Sequence, residues 1–185
     1  LKVSCQGLRA LKQLTHLRSL QVIDLEQDGS RLDLSGLNEL EELVLTMPLD
    51  KSFMVDNDLK SIGELSSLKR LVISGKAVSD AGLAHLTDLT KMEDLQVFTG
   101  HVTDAGLIHL SHMHNMWRLV LRGGQFTDDS LGAFRDLRTL SLVIFANNSR
   151  LSPNALARFN KIRPDVEIHV EKCPAARGVD ATINR

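Results

Sequence analysis

The sequence predicts an α/β solenoid, a curved stack of repeating units with a concave parallel sheet inside and convex helices outside. Three observations predict it. First, Leu68, Met92 and Met116 open consecutive blocks that share one apolar pattern at a spacing of 24 residues. Second, the pattern changes period within each block. Leu71-x-Ile73 alternates as a strand does, whereas Leu83, Leu86 and Leu89 recur every third residue, as a helical or 3₁₀ segment does. Third, a unit this short cannot bury its own apolar edge, so each unit must stack on a neighbour. A strand followed by a helical return, repeated in one direction, sets the strands parallel. Helices need more width than strands, which curves the stack with the sheet inside.

In chain order, VSCQGLRALKQL matches the later VSDAGLAHLTDL, so the chain opens within a unit whose inward residues are Val3, Leu8, Leu11 and Leu14. Leu17, Leu20 and Val22 open the next unit, which the short RLDLSGL closes. Leu40, Leu43 and Leu45 open another that ends in Leu59, Ile62 and Leu65, with an insertion over residues 47–57. Three regular units follow, with inward residues Leu68, Leu71, Ile73, Val78, Leu83, Leu86 and Leu89, and then their equivalents from Met92 to Met113 and from Met116 to Leu137. A fourth carries one inserted residue and uses Leu140, Val143, Phe145, Leu151, Leu156, Phe159 and Ile162. In NKIRPDVEIHVEK, Pro164 ends a helix and Val166, Ile168 and Val170 form a last strand. The expected organisation is one domain of about six or seven units over residues 1–173 and a loose tail over 174–185.

Turn chemistry fits these boundaries. Ser79, Thr103 and Thr127 precede the helical stretches, where a side-chain oxygen caps free N–H groups. Asp80, Asp104 and Asp128 follow, placing negative charge at the positive helix end. Ser152 is followed by Pro153, a favourable first helical residue. Gly82 and Gly106 align with Ser130 and Ala155, so the position accepts only small side chains, which points to close packing rather than a left-handed backbone.

The string L-x-x-L-x-L followed by V-[ST]-D-A-G-L-x-x-L resembles the leucine-rich-repeat family over residues 3–170, most strongly over 68–137. It is most similar to the bacterial 24-residue type found in planctomycete-type repeat proteins, and to the cysteine-containing repeats of F-box adaptors. The resemblance implies a right-handed α/β horseshoe, that is, a leucine-rich-repeat solenoid. It also implies a protein-binding role. No F-box-like segment stands in the sequence. Where the family often carries asparagine or cysteine, this chain has Lys76, Gly100, Gly124 and Asn148, so only Asn148 is suited to bond the neighbouring loop backbone.

Residues between the leucines of each strand face the concave side. One column holds Gln21, Val44, Val72, Gln96, Val120 and Ile144. A second holds Ser19, Glu42, Arg70, Asp94, Arg118 and Leu142, and a third Ile23, Thr46, Ser74, Phe98, Arg122 and Ala146. Local strand preference accounts for β-branched residues there. The other reading is a binding stripe, since Val72, Phe98, Val120, Leu142 and Ile144 lie beside Arg70, Asp94, Arg118 and Arg122, and apolar, aromatic and arginine residues together are the ingredients of a protein interface. Trp117 aligns with polar Lys69, Glu93 and Ser141, so it is expected at least partly exposed.

Other chemistry finds less support. His109, His112 and His114 cluster, with His85 one repeat away, yet no ligand set at a recognised metal spacing completes them. Phosphate-loop, dinucleotide, nucleophile-elbow and zinc-protease motifs are missing, so neither a catalytic role nor a cofactor is expected. Twenty-two basic and 23 acidic residues are interspersed, which disfavours a nucleic-acid groove. No apolar run is long enough to span a membrane. Cys5 and Cys173 lie near opposite ends of the stack and are expected as free thiols. Asn147-Asn148-Ser149 matches a glycosylation acceptor, relevant only in a eukaryotic secretory context. The chain starts at Leu1, which suits a processed protein or an excised part of a longer one; the compartment stays open, with the cytoplasm favoured. The expected function is a non-enzymatic module that binds a protein partner on its concave face. A structural or regulatory segment of a larger enzyme or adaptor is the alternative, and self-association through the N-terminal edge is a third reading.

Overall fold

The computed structural model describes residues 3–26, 28–47, 54–75, 77–147 and 150–171. Its elements run β1 (Val3–Ser4), α1 (Cys5–Leu8) with a 3₁₀ turn (Arg9–Gln13), β2 (Ser19–Ile23), β3 (Leu25–Glu26), β4 (Glu42–Thr46) and α2 (Asp56–Gly63). They continue through β5 (Arg70–Ser74), α3 (Asp80–Ala84), β6 (Asp94–Phe98), α4 (Asp104–Leu107) with a 3₁₀ turn (Ile108–Leu110), and β7 (Arg118–Arg122). A 3₁₀ helix (Asp128–Phe134), β8 (Leu142–Ala146), α5 (Pro153–Ile162) and β9 (Glu167–Glu171) complete the chain. Seven strands form one parallel sheet in the order β2-β4-β5-β6-β7-β8-β9. From β4 onward each crossover is a helical return, α or 3₁₀, whereas β2 reaches β4 through β3 and turns, and a curved α/β solenoid results.

Register follows the leucines. Leu43, Leu71, Leu95, Leu119 and Val143 pair in succession from β4 to β8, and all are 0% exposed. The other inward residues of the three regular units are buried as well. Burying each aliphatic side chain contributes about 1.5 to 3 kcal/mol, and one cluster of buried residues runs from Cys5 to Val166. Two inward expectations fail at the ends: Leu14 is 50% and Ile162 57% exposed. Leu156 is partly buried, and the final strand forms where expected, with Val166 buried beneath it.

A second line of stacking lies in the turns before the helices. Asp56 accepts the Ser79 N–H at 2.6 Å and its hydroxyl at 2.7 Å. Asp80 does the same for Thr103, at 2.8 and 2.7 Å, and Asp104 for Thr127, at 2.9 and 2.5 Å. Asp128 closes the series on Ser152, both bonds at 2.7 Å. Each Ser or Thr also caps its own helix as expected, for example Thr103 from the Ala105 N–H. The aspartates therefore join units to one another, beyond complementing helix ends, from positions a few residues after the one the resemblance assigns to asparagine. They explain the glycines too: a Cβ at Gly82 would stand 2.4 Å from Asp56 Oδ1, and one at Gly106 2.3 Å from Asp80 Oδ1.

Near the C-terminal end Arg163 acts as a clamp. Its guanidinium donates to the carbonyls of Phe134 (2.9 Å), Arg135, Leu137 and Leu140 (each 3.2 Å), and to Asp165 (2.8 Å). These carbonyls lie at and after the end of the preceding 3₁₀ helix, and that of Leu137 also accepts the Leu140 N–H at 3.1 Å. Cys5 is a buried free thiol whose pKa burial, then the nearby Asp28, pushes up to about 11. Cys173, Lys76, Asn148 and Ser149, residues 48–53 of the insertion and the tail lie outside the described residues, so of the acceptor triplet only Asn147 is described.

Candidate interaction surface

Side chains alternate along a strand, so residues flanking each buried leucine reach the opposite, concave face. The parallel register stacks them into three columns, as the sequence predicts. The second column proves to be a charge ladder. Glu42 accepts from Ser19 Oγ at 2.9 Å and Arg70 at 2.6 Å. Arg70 Nε lies 3.3 Å from Asp94, which Arg118 also reaches at 3.4 Å. Gln96 donates to both Asp94 oxygens, at 3.2 and 3.1 Å. The order acid, base, acid, base thus neutralises the column up to β7, where Leu142 follows. The signal was present in the sequence as sign alternation down the aligned column. On the rim beside it, Lys69 pairs with Glu41 at 2.7 Å, and that bond lowers the pKa of Glu41 and raises that of Lys69.

The nine expected binding residues do not share one environment. Val72 and Val120 are only 7% exposed and Asp94 6%, so they are not the open surface that their place on the concave side predicts. Gln96 stands in register between the two valines, and strands lie only about 4.8 Å apart. Gln96 covers Val72 and Val120 from the side they share, and Val44 and Ile144 flank them on the other. Arg70, Phe98, Arg118, Arg122, Leu142 and Ile144 are partly exposed. Trp117, 44% exposed, stands at the rim next to Arg118.

At β6 and β7 the third column brings Phe98 and Arg122 into register, with the guanidinium carbon 5.4 Å from the ring centre. Buried Arg122 Nε has no hydrogen-bond acceptor among the described residues. In the same column Ser74 and Ala146 are buried; Ser74 holds the Met47 N–H at 2.8 Å where the insertion leaves the frame. The apolar and cationic groups left open thus gather on β6, β7 and β8.

The remaining features are shallow. His112 and His114 meet edge to face at 6.4 Å beside a cavity of about 530 Å³ that Asp88 and Lys91 also line. Among the described residues no group of three or more His, Cys, Asp or Glu is placed to hold a metal ion. A cavity of about 340 Å³ lies on the convex side against α5, lined by Leu131, Arg135, Arg158, Phe159 and Ile162. No helix among the described residues is long and apolar enough to cross a membrane.

No protein-family model and no curated protein matches the chain. Its fold is similar to that of solved leucine-rich-repeat proteins. Internalin C2 of Listeria monocytogenes superposes with a TM-score of 0.58 at 17% identity, covering 92% of this chain and 69% of that one. A leucine-rich-repeat protein of Leptospira interrogans gives a TM-score of 0.51 at 18% identity, covering 86% of this chain and 50% of that one. The chain therefore spans half the length of the latter. At such identities the likeness is one of fold, and the architecture is the α/β leucine-rich-repeat solenoid.

Proposed function

We propose that the chain is a non-enzymatic interaction module that receives a protein partner on its concave face, at β6 to β8. The observation that carries this reading is the uneven use of that face. From β2 to β7 the second column is self-neutralised, whereas Phe98, Arg122, Leu142 and Ile144 stay partly open on β6 to β8. Interfaces favour such mixtures of aromatic, aliphatic and arginine side chains. A preformed sheet also orders few groups on binding, which lowers the cost of association. The test is affinity capture from the source organism with wild type and a Phe98→Asp/Ile144→Asp variant of matched melting curve. A partner lost with that variant and kept by Arg158→Glu on the convex side is expected. A partner kept by both variants would overturn the reading. Val120→Asp is unsuitable, because it would bury an unpaired carboxylate and unfold the sheet.

A second reading has its own observation. β2 is an edge strand, with Ile23 67% and Leu14 50% exposed near it. Such an edge suits packing against further repeats, against another part of a larger protein, or against a second copy. Light scattering at several concentrations separates the last case: a mass that stays monomeric rules out self-association by this edge.

A further inference from the structure

We propose that Arg122 is the recognition cation for a side-chain carboxylate of the partner, so that the face takes an acidic–aliphatic peptide segment. The inference rests on the concave-face reading and supplies its chemistry. Three arginines point from the sheet, and two are already satisfied in charge. Arg70 lies between Glu42 and Asp94, and Arg118 reaches Asp94. Arg122 has no carboxylate within ion-pair distance among the described residues; its Nε–H is shut from water, as that of Arg70 is, so a partner's carboxylate would meet its terminal nitrogens.

The surroundings define what fits. The Phe98 ring lies under the guanidinium, 5.4 Å from its carbon, in a cation–π contact. The next residue in register is Ala146, buried and too short to reach over Arg122, and beyond it is Glu171, two strands or about 9.6 Å away. Neither Glu171 nor any other acid among the described residues is paired with Arg122. A carboxylate on the Arg122 fork makes a charge-assisted, bidentate bond. Apolar side chains next to that acid meet Phe98 and Ile144, and one further along the strand direction meets Leu142. Direction is set as well, since Glu167 and Glu171 on β9 repel a second acid and favour a basic or neutral residue there. A nucleic-acid strand fits poorly, because its phosphates would also meet Asp94, Glu167 and Glu171.

The probe is a displayed library of random 12-residue peptides selected on the wild-type chain and measured afterwards as free peptides. Sequences enriched in an Asp or Glu flanked by aliphatic residues are expected, with affinity at least ten-fold weaker for Arg122→Gln and only partly recovered by Arg122→Lys, which keeps charge but not the fork. Melting curves of the variants should match wild type. Failure to enrich any peptide that depends on Arg122 overturns the inference. Peptides that lose affinity with Phe98→Ala or Ile144→Asp but not with Arg122→Gln overturn it and leave the concave-face reading standing. Peptides indifferent to all four substitutions overturn both.

Discussion

Asp104 shows what one side chain does in this stack. It belongs to one unit but satisfies the Thr127 N–H and hydroxyl of the next. Asp104→Ala should leave that backbone donor short of a partner and cost about 1 to 3 kcal/mol, read as a lower midpoint in urea. Gly106→Ala should cost a similar amount, about 1 to 3 kcal/mol, because its Cβ would stand 2.3 Å from Asp80 Oδ1. In the double variant Gly106→Ala/Asp80→Ala the two losses should not add, since the second change removes the atom that clashes. Asp128 gives the pH dependence. Its bonds to the Ser152 backbone and hydroxyl lower its folded pKa below the ordinary carboxylate value. A lowered folded pKa contributes stability above the unfolded pKa, and that stability is lost as pH falls through the folded value. Thermal melts from about pH 5 downward should therefore fall less steeply for Asp128→Asn than for wild type; parallel curves would refute this.

At the scale of elements, α5 is held at both ends by residues outside the leucine pattern. Ser152 caps its start and Arg163 grips four carbonyls of the preceding return. Arg163→Ala should lower stability by about 2 to 3 kcal/mol, and Arg163→Lys should recover little of it, because a lysine cannot fork across several carbonyls. Denaturant titration of both variants checks this. The sequence announced the cap through Ser152-Pro153 but not the clamp. Arginine near a helix end is common, and its four acceptors come from a segment 23 to 29 residues away, which only the stacking brings near. Likewise the 3₁₀ form of Asp128–Phe134, where Ser130 bonds back to the Thr127 carbonyl at 2.7 Å, departs from the α-turns of its neighbours.

For the whole molecule, stability is a sum of units and the contacts between neighbours. Units flanked on both sides should open last. Amide hydrogen exchange is expected to be slowest in β5, β6 and β7 and to quicken toward β2 and β9, whose outward alternation leaves more of the strand exposed. Uniform protection across the seven strands would contradict that. Phe145 tests the stacking directly. It is fully buried between Phe126 (5.3 Å) and Phe134 (6.1 Å) of the preceding unit. Phe145→Ala should cost about 3 to 5 kcal/mol, in the range set by how far the neighbours can collapse.

The 24-residue spacing by itself determined the strands, the helical returns, the inward residues and the parallel register, because a repeat whose apolar edge must be covered has one way to stack. It also named the caps, since capping is local chemistry. The tertiary structure decided what depends on a neighbour one unit away. It turned the aspartates from helix-end charges into bonds between units and made the glycines spaces for them. It paired Glu42, Arg70, Asp94 and Arg118, buried Val72 and Val120 on a face where alternation alone predicts exposure, and left Arg122 without an acid beside Phe98. A sequence pattern gives the direction in which a side chain points. Whether that side chain is open, covered or paired depends on the distance and length of the residues stacked on either side.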